Sequence, residues 1–317
     1  MKIQSIFSAI LLTFLSFKGF AGHTELKSAA THIKIYDSMT NFLQGDAYSY
    51  LGQTLFLKPL NDDLKQNGYD GFIKDYHIDS YIPENIYYND ENNHSNYDRL
   101  FGKRFIVIDV IKPMYDSANY GSGSDYAFQL INLSNNDTLY YIYQSEYEHT
   151  FHFIVEGYWH KQKSLAVGKK FIFSDTYVGT SVDLVKGTLI ATKIGDVWTC
   201  EDIKMDDIYY TMAVILKNKE GQKIATDVLS TLGPNRKGKS YYKWEADKYT
   251  QKFGKPIFDN ILMGRIAIGY TMEMCTLVMG KAIDIKSSWK LKIPIEEWKM
   301  ENGQTLLFEN GILKKII

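Results

Sequence analysis

Tyr126-Ala127-Phe128-Gln129-Leu130-Ile131-Asn132-Leu133 runs into Ser134-Asn135-Asn136-Asp137, then out through Thr138-Leu139-Tyr140-Tyr141-Ile142-Tyr143. Branched and aromatic side chains suit a pleated, half-buried surface, and a short Asn/Asp cluster suits a tight turn. The stretch therefore predicts strand, turn, strand. A second copy of the pattern lies 85 residues on. Ala127–Ile131 meets Met212–Leu216, and Asn135-Asn136-Asp137 meets Glu220-Gly221-Gln222. Gly102 meets Gly187 at the same offset, each opening a strand-like run. Gly52 and Gly168 also precede strand-like runs, where glycine lets the chain turn sharply. The reading is a tandem of two related β-modules.

Further strand-like runs occur at 54–57, 105–111, 151–155, 170–174, 188–193, 209–216 and 223–228, bounded by Gly, Asn, Asp and Ser. Asp79–Asn96 is polar and aperiodic and reads as a surface loop or irregular insertion. Tyrosine is abundant (24) and proline scarce (6), which favours strands. Pairs such as Tyr140-Tyr141 and Tyr241-Tyr242 would direct one ring outward from a strand, so exposed tyrosines are candidate glycan or peptide contacts.

The ends of the chain read differently. Met1-Lys2 followed by an apolar run from Ile6 to Phe17, then Gly19-Phe20-Ala21, predicts a signal peptide over 1–21. The run is too short for a membrane span, which needs about 20 apolar residues. Residues 24–44 place Leu26, Ala30, Ile33, Tyr36, Thr40 and Leu43 at helical steps, predicting an amphipathic helix ended by Gly45. Beyond Pro256 the helical period returns with Ile257 and Ile261. Thr271 is a good helix cap, Met274, Leu277 and Val278 share a face, and Gly280 ends the helix. Strands follow at 295–300, carrying Trp298, at 305–308, and at 312–317 after Asn310-Gly311.

Those C-terminal residues resemble a family. Ile268-Gly269-Tyr270-Thr271-Met272-Glu273-Met274-Cys275, then Met279-Gly280-Lys281, Glu296-Glu297-Trp298 and Leu306-Leu307-Phe308-Glu309-Asn310-Gly311 are similar to the signature of SmpA/OmlA (BamE)-like domains. The resemblance covers about residues 256–317. It departs from the pattern at Tyr270, where Met is usual, and at Lys281-Ala282, where Pro is usual. It implies two helices packed on a small antiparallel sheet, and a protein-interaction module of a cell envelope. Gly269, Thr271, Gly280 and Gly311 are fold residues in that reading.

The whole chain is then expected to be α+β, mainly β. Tandem small antiparallel β barrel or sandwich modules would be followed by a two-helix plus small antiparallel sheet domain. The expected divisions are 1–21 leader, 22–50 N-terminal helix, 51–165 first module, 166–245 second module and 246–317 C-terminal domain. Its 317 residues hold 36 Lys and Arg against 37 Asp and Glu; loss of Lys2 and Lys18 with the leader takes the net charge from −1 to −3. That balance excludes a polyanion binder driven by bulk charge, so no nucleic-acid partner is expected.

Residues with catalytic chemistry gather only at Glu146, Glu148, His149, His152, Glu156 and His160. His149, His152 and Glu156 could ligate zinc in a metal-dependent hydrolase, but the surrounding run is strand-like and lacks His-Glu-x-x-His. Gly121–Ser124 lacks the helix and Lys-Ser/Thr of a phosphate loop, and Gly233–Lys239 reads as a charged surface turn. Cys200 and Cys275 could pair in an exported protein or remain buried thiols. The expectation is an exported, non-enzymatic protein, periplasmic or extracellular, with no cofactor and no membrane span after cleavage. It would bind a protein partner in the cell envelope, with glycan or peptide binding as an alternative. The candidate binding residues are Tyr140, Tyr141, Tyr241, Tyr242 and Trp298.

Overall fold

A computed structural model describes residues 36–89, 93–112, 125–175, 179–206, 209–232 and 240–317. The leader, most of the 24–44 segment, Gly121–Ser124 and Gly233–Lys239 lie outside the described residues. The chain is mainly β, in several antiparallel sheets.

The first sheet has six strands: β1 (Thr54–Leu57), β2 (Phe72–Ile73), β3 (Arg104–Ile111), β4 (Asp125–Asn132), β5 (Thr138–Gln144) and β6 (Phe153–Val155). Their order is β2-β5-β4-β3-β1-β6. Short helices α1 (Asp62–Lys65) and α2 (Tyr97–Leu100) lie in the long β1–β3 connection. The inward rings close the sheet upon itself. Phe72 on one edge strand and Phe153 on the other are 5.6 Å apart, and both are buried. No pairing joins β2 to β6 among the described residues, so the curl stays open.

Helix α3 (Glu156–Ala166) leads to β7 (Lys170–Phe173), the hairpin β8 (Thr180–Val182) and β9 (Leu189–Ala191), and then β10 (Val197–Asp206), β11 (Thr211–Lys217) and β12 (Lys223–Asp227). Short helix α4 (Val228–Leu232), β13 (Ser240–Tyr242) and α5 (Lys243–Phe253) follow. The second sheet runs β12-β11-β10-β7-β13, the same order as β5-β4-β3-β1-β6.

The correspondence reaches single hydrogen bonds. Ile108 is an unpaired bulge residue between Val107 and Asp109, and Glu201 occupies the same place between Cys200 and Asp202. Each bulge is followed by an aspartate whose Oδ1 accepts the next backbone N–H: Val110 on Asp109 and Ile203 on Asp202, both at 2.8 Å. Gly52 N donates to Val107 O and Gly168 N to Cys200 O, again both at 2.8 Å. The Gly102–Gly187 match is corrected. Gly102 N donates to Leu57 O, and its counterpart is Gly195 N donating to Phe173 O. Gly187 turns the β8–β9 hairpin instead, bonding Asp183 O. The first connection is nevertheless longer in the first unit, with 46 residues between β1 and β3 against 23 between β7 and β10, so the offset between matching residues changes along the chain.

The predicted helix over 24–44 is not present in its described part. Residues 36–44 are irregular, because Tyr36 turns inward and donates its hydroxyl to Thr40 O at 2.6 Å. Within 79–96, Asn85 is buried and holds Asp75, Ile78 and Asp79 through its side chain. The insertion is thus organised around a buried amide, whose bonds answer the cost of burying it.

One buried cluster spans both sheets, from Leu55, Phe105 and Tyr141 to Phe171, Trp198 and Val214. A second cluster holds Phe258, Cys275, Trp298, Leu306 and Phe308 from helices α6 (Lys255–Leu262) and α7 (Met272–Met279) and the last sheet. That sheet is a meander of β14 (Asp284–Lys290), β15 (Ile293–Lys299), β16 (Thr305–Glu309) and β17 (Ile312–Ile316). Strand β13 joins the two clusters by alternation: Tyr241 enters the second, while Tyr242 packs on the first.

Candidate functional site

The five candidate binding residues do not form one surface. Tyr140 lies on β5, Tyr241 and Tyr242 on β13, and Trp298 on β15. Tyr141, Tyr241 and Trp298 are corrected to core residues. Tyr141 is buried and donates its hydroxyl to Thr150 O at 2.5 Å. Tyr241 is buried against Phe258, with ring centroids 5.5 Å apart, and donates to Leu277 O. Trp298 is buried over Phe308 and donates its Nε1–H to Glu296 at 2.7 Å. The outward ring expected of each tyrosine pair exists only at Tyr140, because both faces of β13 are covered. Tyr242 is half-buried against Phe171. Half-buried Tyr140 packs beside Tyr76 at 5.0 Å, next to exposed His77.

The histidine group divides in two. His149 lies in a single turn at Glu148–Thr150, and His152 precedes β6, across from Lys58. Burial pushes the His152 imidazole down to about 4, with the Lys58 and His149 charges acting the same way. Its ring edge meets Tyr69. Burial also lowers the Lys58 ammonium, against an opposing pull from Glu148. Glu156 and His160 lie beyond β6, one turn apart on α3. Extended chain advances about 3.3 Å per residue, so the strand between His152 and Glu156 holds them on the order of 13 Å apart. Among the described residues no three His, Cys, Asp or Glu side chains form a metal-holding group.

Glu156 and His160 instead line a cleft of about 560 Å³ with Tyr36, Asp37, Gln53, Gly157 and Lys161. Helix α3 presents one face to it, since these positions recur at helical spacing. Arg104 Nε binds Glu156 at 2.7 Å, and Lys161 Nζ binds Asp37 Oδ1 at 3.1 Å. Both carboxylates are held by cations, so the cleft offers paired charges for polar recognition. Gly157 is required there. A Cβ on it would stand 2.3 Å from Tyr36 Cβ. The sequence signal for this cleft was the helical spacing of Glu156, His160 and Ser164, masked by the strand-like run before it.

A second groove, of about 600 Å³, lies beside α7. Met263, Ile266, Val278, Met279 and Met300 line it beside Glu301 and Asn302. Methionine side chains suit adaptable apolar contact. Cys200 and Cys275 are free, buried and in different clusters. Burial pushes their thiols up to about 12 and about 11, away from nucleophilic use. No helix among the described residues is long and apolar enough to cross a membrane. No family model, curated protein or solved structure matches the chain.

Proposed function

We propose that the chain is an exported, non-enzymatic binding or scaffolding protein of the cell envelope. Two related small, partly open β-barrels would form its frame, and a SmpA/OmlA-like domain would close it. The observation that carries this reading is the order helix, helix, four-stranded meander over 255–316. The motif residues support it. Thr271 Oγ1 accepts from Met274 N at 3.3 Å to cap α7, Gly280 ends that helix, and Trp298 and Phe308 pack beneath. The methionine-lined groove between those helices and the β15–β16 turn is the partner contact in this reading.

The test is expression of the full chain, leader included, in a bacterium with two membranes. The expected product is cleaved after Ala21, recovered outside the cytoplasm, and cross-linked in intact cells to one stoichiometric envelope protein. An uncleaved cytoplasmic product, or measurable hydrolase turnover by the purified chain, would overturn the proposal.

A second reading is recognition of a glycan or peptide at the Tyr76–Tyr140 ring pair, the one outward-facing tyrosine pair that the sequence candidates reach. Adjacent amphipathic rings give large contact area at low entropic cost. A glycan and peptide array read with the native chain and with Tyr140→Ala tests it. Signal lost in the variant supports this reading, and equal signal removes it.

A further inference from the structure

Strand β14 is an edge strand, and all seven of its residues are exposed. Asp284, Lys286 and Lys290 give it charge, yet it also carries large apolar side chains. Ile285 is 51% exposed and Trp289 74%, and Leu291 at the hairpin tip reaches 90%. Soluble chains normally blunt such edges with charges, proline or a bulge, because an open edge templates further pairing. Here the register with β15 is unbroken from Asp284↔Lys299 to Lys290↔Ile293.

The direction of the free backbone groups follows from the pairing on the other side. Asn310 N donates to Pro294 O, so Pro294, Glu296 and Trp298 bond toward β16. By alternation Ile293, Ile295, Glu297 and Lys299 bond toward β14, taking Lys290, Ser288, Lys286 and Asp284 as partners. Ile285, Ser287 and Trp289 therefore point their N–H and C=O groups outward. A new antiparallel strand must pair with those three residues.

We propose that the occupant of this edge is β14 of a second copy of the chain, paired antiparallel about a two-fold axis at Ser287. In that register Ile285 lies opposite Trp289 of the second copy, and Asp284 lies opposite its Lys290. Both pairs occur twice by symmetry. Lys286 faces Ser288. The alternatives are disfavoured by charge. Sliding by two residues in one direction sets Lys286 against Lys286 of the second copy. Sliding in the other sets Lys286 against Lys290. Like charges directly opposite are destabilising. The apolar pairs also extend an existing surface: Ile285 pairs with Trp298 and Trp298 with Leu306, so they share one sheet face. Trp298 and Leu306 are buried, whereas Ile285 and Trp289 are not. Dimerisation would join two four-stranded meanders into one eight-stranded sheet. This surface is separate from the methionine-lined groove, and the inference does not depend on the compartment.

The test uses the full mature chain. Ultracentrifugation is expected to show a concentration-dependent dimer. Asp284→Lys places lysine opposite lysine twice and should weaken it about tenfold. Adding Lys290→Asp restores opposite charges and should return the native value. Ser287→Cys should form a disulfide-linked dimer under mild oxidation, since directly opposed backbone-bonded residues lie about 5.5 Å apart at Cα. Ser288→Cys, whose side chain points to the other face and meets Lys286, should not. The native thiols Cys200 and Cys275 are buried and give no background. A chain that stays monomeric at high micromolar concentration overturns the proposal. So does a double variant no better than Asp284→Lys, or equal cross-linking at 287 and 288. A monomer whose Trp289 becomes shielded only by anionic lipid vesicles would likewise assign the edge to a membrane and not to a second copy.

Discussion

Replacing Gly157 by alanine should destabilise the chain, although alanine is the better helix former. Gly157 sits in the first turn of α3, where the intrinsic gain from Gly→Ala is roughly 0.5–1 kcal/mol. Against it stands Tyr36. The new methyl would lie 2.3 Å from Tyr36 Cβ, 3.2 Å from its Cγ and 3.4 Å from Gln53 Oε1. Carbon atoms prefer separations of about 3.5–4 Å, so Tyr36 or the helix must retreat by more than 1 Å. Tyr36 is anchored by its hydroxyl on Thr40 and Asn41, and its ring is buried in the first cluster. Overpacking of this kind costs about 1–3 kcal/mol. The net effect of Gly157→Ala should therefore be a loss of about 1–2 kcal/mol. Urea unfolding, followed by far-ultraviolet dichroism with the slope held constant, measures it. Because the contact involves Tyr36 Cβ, only Tyr36→Gly relieves it; Tyr36→Ala leaves the obstructing atom in place. In a Tyr36→Gly background the sign should reverse, and Gly157→Ala should become neutral or stabilising. A native-background Gly157→Ala that raises the urea midpoint would show that the 36–41 segment yields freely, and would refute the packing argument.

Three further outcomes can be measured. Tyr141→Phe removes a buried hydroxyl that donates to Thr150 O, leaving that carbonyl unpaired, and should cost about 1–2 kcal/mol with little change in fold. His152 is held near 4 while the unfolded imidazole titrates near 6.5, so the unfolded chain binds the extra proton between those values. Its contribution is complete above about pH 6.5 and is lost as pH falls toward 4. His152→Gln should flatten the stability curve in that window alone, and an unchanged slope there would remove His152 from the acid response. Cys200 and Cys275 should resist alkylation in the folded chain at pH 8 and both react once it is unfolded without reductant; mass spectrometry counts the labels.

What the sequence displayed and what it concealed follow from which side chains each element buries. The β4–β5 and β11–β12 hairpins were legible because branched and aromatic residues fill their strands and the turns carry Asn, Asp or Gly. Helix α7 was legible from its ends, Thr271 and Gly280. Helix α3 was not. Its buried stripe is Tyr158, Gln162 and Ala166, with an amide in the middle and no large aliphatic residue. Its remaining anchor, Trp159, donates to Ile203 O at 2.7 Å and reads locally as an isolated aromatic. Strand β14 escaped notice although Ile285 and Trp289 alternate with Lys286, Ser288 and Lys290, because Ser287 interrupts the apolar face and every residue on the strand is exposed. The tyrosine sites misled for the opposite reason. A Tyr-Tyr pair turns one ring outward only if one face of the strand is wet, and local sequence does not say that helices will cover β13.

That cover has a regular logic. In each unit an edge strand passes directly into an eleven-residue helix: β6 into α3 and β13 into α5. The helix folds back over the outer face of its own sheet. In the first unit Trp159 meets Phe56 there, with ring centroids 6.0 Å apart. In the second, Tyr249 and Phe258 cover Tyr241. Each helix also reaches elements later in the chain, α3 touching β10 of the second sheet and α5 touching α6. The apolar outer face that would otherwise be left open at β6 or β13 thus becomes the joint to the next unit. Among the described residues, β14, the first strand after the last helix, leaves Ile285 and Trp289 exposed at an edge that no following helix closes. Pairing with a second copy there would meet the same physical requirement that α3 and α5 meet within the chain.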